Sequence, residues 1–235
     1  MKDSRIGLLE REKEILRLIE LFEENHLKFI VVGGYAVSTY KKRFSVDLDV
    51  VILETDFPEF EKILLKDGYA LSYEKEIALL YGENFKRFAK NLDNLPVNVD
   101  FLINGLVSRA TDATWSFETI NKNSIKGEID NIGFLTPTKE LLISMKMHSG
   151  RLSDVRDIVA LIPCNKDKLN KFLLKGNLNT LKNSIEKQIK FLDKPQFDDS
   201  FKGIFGIQAY NKKDVEFTKE LFSKLLNKIK SKEEK

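Results

Sequence analysis

Asp47 and Asp49 interrupt the apolar run of residues 46–53, and Asp100 interrupts a second run, "VNVDFLI". Burying like charges is unfavourable unless something offsets them. Both runs are rich in β-branched residues and predict strands. Alternate strand residues share a face, so Asp47 and Asp49 point the same way and can share a cation. Hard cations such as Mg²⁺ take oxygen ligands, usually one or two carboxylates plus substrate phosphates. Three strand acids with no His or Cys near them in the sequence suit Mg²⁺ or Mn²⁺ better than zinc. Upstream stands Gly33-Gly34, where a strand is expected to turn into a helix. Glycine lets backbone approach an anion closely, and a helix N-terminus offers unpaired N–H groups. A triphosphate held there, beside carboxylate-bound metals, is the arrangement that two-metal phosphoryl chemistry requires.

These residues need elements to hold them. Residues 11–24 predict a helix with Ile15, Leu18, Ile19 and Phe22 on one stripe. "KFIVV" is a short buried strand ended by the glycine pair, and a short helix over 35–40 follows. "SVDLDVVIL" is the second strand. Thr55 or Asp56 caps a helix through Lys66, and Gly68 stops it. "YALSY" and "FKRFAK" are weaker strands, "NLDNLP" is a turn, and "VNVDFLI" is a clear strand. On that strand Val97, Val99 and Phe101 share one face, and Asn98, Asp100 and Leu102 the other. "KGEIDNIGFL" is a strand or hairpin. Thr136 is then expected to cap a helix with Pro137 first in it, running to Ser149 and ended by Gly150. Ser153 caps the next helix, with Val155, Ile158, Val159 and Ile162 inside, and Pro163 breaks the chain. Helical patterns over 169–174, 181–192 and 215–229 complete it. Strands alternate with helices first, and helices follow alone. The expected fold class is α/β (α+β), with a mixed sheet flanked by helices over 1–162 and a helical region over 163–235.

Composition narrows the classes. The chain has 235 residues, 42% apolar and 32% charged, which is globular and large enough for one or two domains. No apolar run approaches the ~20 residues of a transmembrane helix. The charged N-terminus does not read as a signal peptide. One cysteine, Cys164, excludes an internal disulfide and a cysteine-based zinc cluster. A cytoplasmic protein with no membrane contact is expected. Residues 165–235 carry 17 Lys against 10 Asp and Glu, a surplus of seven; with +3 overall, the remainder is −4. Such a basic part attracts an anionic partner such as nucleic acid, although scattered lysines also suit a solvated surface.

The ordered set of a glycine pair, Asp-x-Asp on a strand and a later strand aspartate resembles the DNA polymerase β-like nucleotidyltransferase superfamily. Gly33, Gly34, Asp47, Asp49 and Asp100 stand at those places. "RFSVDLDVVI" is similar to the Arg-x-Thr-x-Asp-x-Asp form of the branch that includes abortive-infection and toxin–antitoxin nucleotidyltransferases, with Ser45 in place of Thr. "TPTKELLISMKMHSGRLSDVRDIVALI" resembles that branch's later motif, a helical Lys, a Gly-Arg turn and Asp-x-x-Asp. Lys146, Arg151, Asp154 and Asp157 occupy those places. The resemblance spans residues 30–162.

The resemblance implies transfer of a nucleoside monophosphate from an NTP such as ATP to a hydroxyl, with release of pyrophosphate and dependence on Mg²⁺ or Mn²⁺. Asp47 and Asp49 would hold the metals, and Asp100 would complete the nucleophile side. Gly33, Gly34, Arg43, Ser45, Arg151 and Asp157 would serve the nucleotide, and Lys146 would neutralise its charge. The acceptor classes are RNA or tRNA, a protein and a small molecule, and a partner protein is also implied. Two other classes stay open. One is a catalytically silent module that binds a nucleotide or a partner; the other is a nuclease, which needs acids but no triphosphate cradle. Plainer roles stand beside the catalytic ones. Asp154 suits the first turn of a helix by dipole alone. Lys146 and Asp157 suit a solvated surface, and Arg43 suits triphosphate or a brace for the Asp47 strand. His148, Trp115 and Phe117 read as core, His26 as surface and Cys164 as a bystander.

Overall fold

A computed structural model describes residues 4–72, 84–93, 95–206 and 210–233. The described residues form two compact units. The first draws on Met1–Thr39, Phe44–Leu106 and Trp115–Pro137, and the second on Tyr40–Arg43, Val107–Thr114 and Thr138–Lys235. This division differs from the boundary expected after residue 162. The helices after Pro137 belong with the C-terminal helices, and two short upstream segments join them.

The first unit is built on a five-stranded sheet. Its strands are β1 (Ile30–Val32), β2 (Asp47–Ile52), β3 (Ala70–Ser72), β4 (Phe85–Leu92) and β5 (Leu95–Ile103). Their spatial order is β1-β2-β5-β4-β3. Only β2 and β5 run parallel; the other pairs are antiparallel. The sheet is therefore mixed, as expected. Alternation gives it two unlike faces. Leu48, Val50, Ile52, Val97, Val99, Phe101 and Phe88 enter one core with α1 (Ser4–Glu24) and α3 (Phe57–Lys66). Phe22, Phe60 and Phe101 are fully buried there, with ring centroids 5.0 and 5.4 Å apart for the successive pairs. Each such side chain contributes roughly 1.5–3 kcal/mol of burial. The opposite face carries the aspartates.

The short helix α2 (Gly33–Ser38) follows β1 directly. β6 (Gly105–Val107) and β7 (Thr114–Ser116) form a two-stranded ladder, and Ser116 caps α4 (Phe117–Lys122) through the Thr119 N–H. "KGEIDNIGFL" is a hairpin, β8 (Ser124–Ile129) with β9 (Ile132–Pro137). Its two turn residues, Asp130 and Asn131, have φ of 49° and 67°, the left-handed region these types tolerate. Ser124 pairs with Pro137, so the ladder claims Thr136 and Pro137. The next helix starts two residues later than the Thr-Pro signal predicts.

The second unit is helical. Its elements are α5 (Lys139–His148), α6 (Val155–Ala160), α7 (Lys166–Leu173), α8 (Leu178–Leu192), α9 (Pro195–Phe205) and α10 (Lys212–Glu233). Gly150, with φ +70°, lies just past α5. Val155, Ile158, Val159 and Ile162 are buried as expected. α9 was not expected from the sequence. It buries Phe197, Phe201 and Phe205 at helical spacing, and Phe201 stacks on Phe205 with centroids 4.4 Å apart. His148 is fully buried: its Nδ1 lies 2.7 Å from the Thr111 hydroxyl and its Nε2 2.8 Å from the Leu173 carbonyl. Burial holds its pKa below the ordinary value, consistent with a structural role. Trp115 and Phe117 are buried and His26 is exposed. No helix among the described residues is long and apolar enough to cross a membrane.

Candidate active site

Strand pairing assembles the acids. β2 and β5 align Asp47 with Asn98 and Asp49 with Asp100. Directly opposed residues project to the same side, so residues far apart in sequence share one sheet face. Asn98 Nδ2 donates to Asp47 Oδ1 at 2.9 Å, fixing the orientation of that carboxylate. Asp47 and Asp49 are half-buried, whereas Asp100 is buried.

The row continues into β4. Arg87 lies opposite Asp100 and holds it in a fork, Nε to Oδ1 at 2.6 Å and Nη2 to Oδ2 at 2.7 Å. The guanidinium also lies 5.9 Å from the centroid of the Phe85 ring. Among the described residues, no three or more His, Cys, Asp or Glu gather in a way that would hold a metal. Asp47 and Asp49 thus lie half-buried on the face, with Asp100 beside them in a fork with Arg87.

At the end of β1, Val32 pairs with Asp49, and Gly33 follows with φ +65°. A Cβ at Gly33 would collide with Asp49 Oδ2. Glycine is needed at 33 for two reasons, the left-handed backbone and the carboxylate against it. Gly34 is buried inside α2. Ser45 is held through its backbone, since Tyr35 Oη donates to its carbonyl at 3.1 Å; its own hydroxyl lies 3.4 Å from the Asp47 carbonyl.

The donor set fits a hard cation in part. Asp47 and Asp49 offer carboxylate oxygens on one strand face, the one-or-two-carboxylate set Mg²⁺ usually takes from a protein. Asp100 is already matched by the charge of Arg87, which contacts both of its oxygens.

The remaining expected site residues belong to the second unit, where they form a network. Arg43 Nη1 donates to both oxygens of Asp157, at 2.6 and 2.7 Å. Lys146 Nζ lies 2.8 Å from Asp157 Oδ2 and 2.9 Å from Asp154 Oδ1. Arg151 Nε donates to Asp154 Oδ2 at 2.9 Å. Arg43, Lys146, Asp154 and Asp157 are all buried, while the Arg151 side chain is 62% exposed. Burial alone would push the Lys146 pKa down, but Asp154 and Asp157 together raise it. Burial likewise favours neutral Asp154, and Lys146, Arg151 and the Ser149 hydroxyl outweigh it, lowering its pKa to about 2. Lys146 is therefore neither solvent-facing nor bare, and Asp157 is no surface acid.

Asn98 and Arg87 were not among the expected site residues. Asn98 was legible, because it shares the Asp100 face of its own strand. Arg87 was not, because only the order of strands in the sheet sets it beside Asp100.

No family model matches the chain, and no curated protein does. Several solved structures are similar to it. The lincosamide antibiotic adenylyltransferase LnuA, lincomycin-bound, is 18% identical with a TM-score of 0.46, covering 64% of this chain and 95% of its own. An antigenic nucleotidyltransferase-like protein from Paracoccidioides brasiliensis is 14% identical with a TM-score of 0.46, covering 82% and 92%. ANT(2'')-Ia, in complex with adenylyl-2''-tobramycin, is 13% identical with a TM-score of 0.40, covering 94% and 98%.

Proposed function

We propose that the chain is a nucleotidyltransferase that moves a nucleoside monophosphate from an NTP to a hydroxyl acceptor. The observation that carries this is the pairing of β2 with β5, which sets Asp47, Asp49, Asn98 and Asp100 on one sheet face beside the Gly33 turn. Asp47 and Asp49 would hold Mg²⁺ or Mn²⁺, with Asn98 orienting Asp47. The bound cation would supply charge stabilisation for the phosphates and the attacking oxygen. Gly33 and Gly34 would let the backbone meet the triphosphate. The acceptor oxygen forms a bond to the α-phosphorus, the bond from that phosphorus to the bridging oxygen breaks, and pyrophosphate leaves. The hydroxyl proton would pass to Asp100 once the guanidinium of Arg87 has left it. Positioning and electrostatics supply the rate, as in phosphoryl transfer generally.

Arg43, Lys146, Asp154 and Asp157 are proposed as scaffold of the second unit, because their charges satisfy one another in a buried cluster. Arg151 is the cation of that network most open to an anion. The Arg87–Asp100 pair favours a second reading, a catalytically silent nucleotide-binding module with two acids in place of three.

Incubation with NTPs labelled at the α-phosphate, Mg²⁺ and RNA, protein or small-molecule hydroxyl acceptors separates the readings. Label on an acceptor, with pyrophosphate released, supports the transferase and identifies its acceptor. Mg²⁺-dependent NTP binding with no label transferred to any of the three classes supports the silent module.

A further inference from the structure

Arg87 is the feature of the sheet face that the proposed chemistry leaves unused. It lies on β4, one strand beyond Asp100, in the row Asp49–Asp100–Arg87 set by the pairings of β2, β5 and β4. Its fork takes both Asp100 oxygens, and the pair is largely shielded, with side chains 17% and 8% exposed. A two-pronged guanidinium–carboxylate pair is geometrically specific and stronger than a point-charge contact. The fork takes one lone pair on each Asp100 oxygen and sets a full positive charge against the carboxylate, which opposes a second cation there. The two rows of strand residues carry three carboxylates and one guanidinium, and that guanidinium stands on the acid the reaction needs last.

We propose that Arg87 holds the place of a cation on Asp100 and sets the order of loading. Asp47 and Asp49 take the first divalent cation. Asp100 joins the site only when the guanidinium leaves it, drawn to the phosphates of the incoming nucleotide. Arg87 is thus a positioning residue that keeps the site from closing on metal alone. The inference rests on the nucleotidyltransferase reading of the same face.

The test is Mn²⁺ binding without nucleotide, read from the loss of the free-ion electron paramagnetic resonance signal, in protein whose fold is checked by circular dichroism. Arg87→Gln frees Asp100 and adds one negative charge to the site, so Mn²⁺ should bind about tenfold more tightly. Arg87→Gln/Asp100→Asn replaces a neutral ion pair by a neutral amide pair, so its affinity should stay within about twofold of wild type. The double variant keeps the test open if the single variant does not fold. An Arg87→Gln affinity equal to or weaker than wild type overturns the proposal. So does a double variant that binds about tenfold more weakly than wild type, since Asp100 would then ligate metal in the unloaded protein. Mn²⁺ binding that Asp47→Asn and Asp49→Asn leave untouched overturns the underlying reading instead.

Discussion

The two units use the same residue types to opposite ends. On the sheet face, two rows of strand residues set three carboxylates against the single guanidinium of Arg87. In the helical unit, Asp154 and Asp157 meet Arg43, Lys146 and Arg151, and four of those five side chains are buried. The buried acids matched by cations are proposed as scaffold. Under the proposed function, the acids of the sheet face would be matched by a divalent ion with a polyphosphate. Aspartates placed in the chain by similar motifs thus meet different surroundings on folding, and the roles proposed for them follow from those surroundings.

Breaking the sheet face should give the largest effect. Asp49→Asn is expected to lower transfer at least about a thousandfold, because the cation loses a ligand on which transition-state charge depends. The melting temperature should hold or rise, since one like charge leaves the face. Rates of transfer and a thermal melt on the same preparation check both halves.

Breaking the helical network should act on stability instead. Lys146→Met leaves Asp154 and Asp157 with one buried cation fewer, which is expected to lower stability by about 3–5 kcal/mol. Denaturant unfolding measures it. A folded Lys146→Met protein with wild-type stability would show that the network is not the scaffold described.

Gly33→Ala probes the border of the acid face. Its Cβ would meet Asp49 Oδ2, and its backbone would hold φ +65°. The left-handed conformation alone is expected to lower stability by about 1–2 kcal/mol, and displacement of Asp49 should lower transfer by more than that loss of fold explains. Transfer rates measured well below the melting transition separate the two.

The smallest effect is one of pH. Asp154 has a folded pKa of about 2, against 3.8 ordinarily. A lowered carboxylate pKa adds stability above its ordinary value, and that stability is lost as pH falls toward the folded value. The stability gap between wild type and Asp154→Asn should therefore be constant near neutrality and shrink as pH drops through about 4 toward about 2. Unfolding curves across that range report the gap.

The legible parts of the molecule were those where one segment decides its own structure. β2 and β5 show in their β-branched runs, and period two alone placed Asp47 with Asp49 and Asn98 with Asp100. "KGEIDNIGFL" read as a strand or a hairpin, and the structure makes it a hairpin turning at Asp130-Asn131. What depends on partners was hidden. Arg87 sits among lysines in "FKRFAK", and its role arises from β4 lying next to β5. Arg43 and Asp157 are separated by 114 residues, so their pairing has no local signal. Pro137 looks like a helix start because proline suits that position, but its ladder with Ser124 prevails. α9 carries Pro195 at its first position and Gly203 inside, which masked the Phe197, Phe201 and Phe205 stripe.

The contrast between the two units is tested most directly by calorimetry with a non-hydrolysable NTP and Mg²⁺, on wild type, Asp49→Asn and Asp154→Asn. Mg²⁺-dependent binding is expected, abolished by Asp49→Asn and retained in folded Asp154→Asn. Binding that survives Asp49→Asn but disappears in folded Asp154→Asn would contradict it.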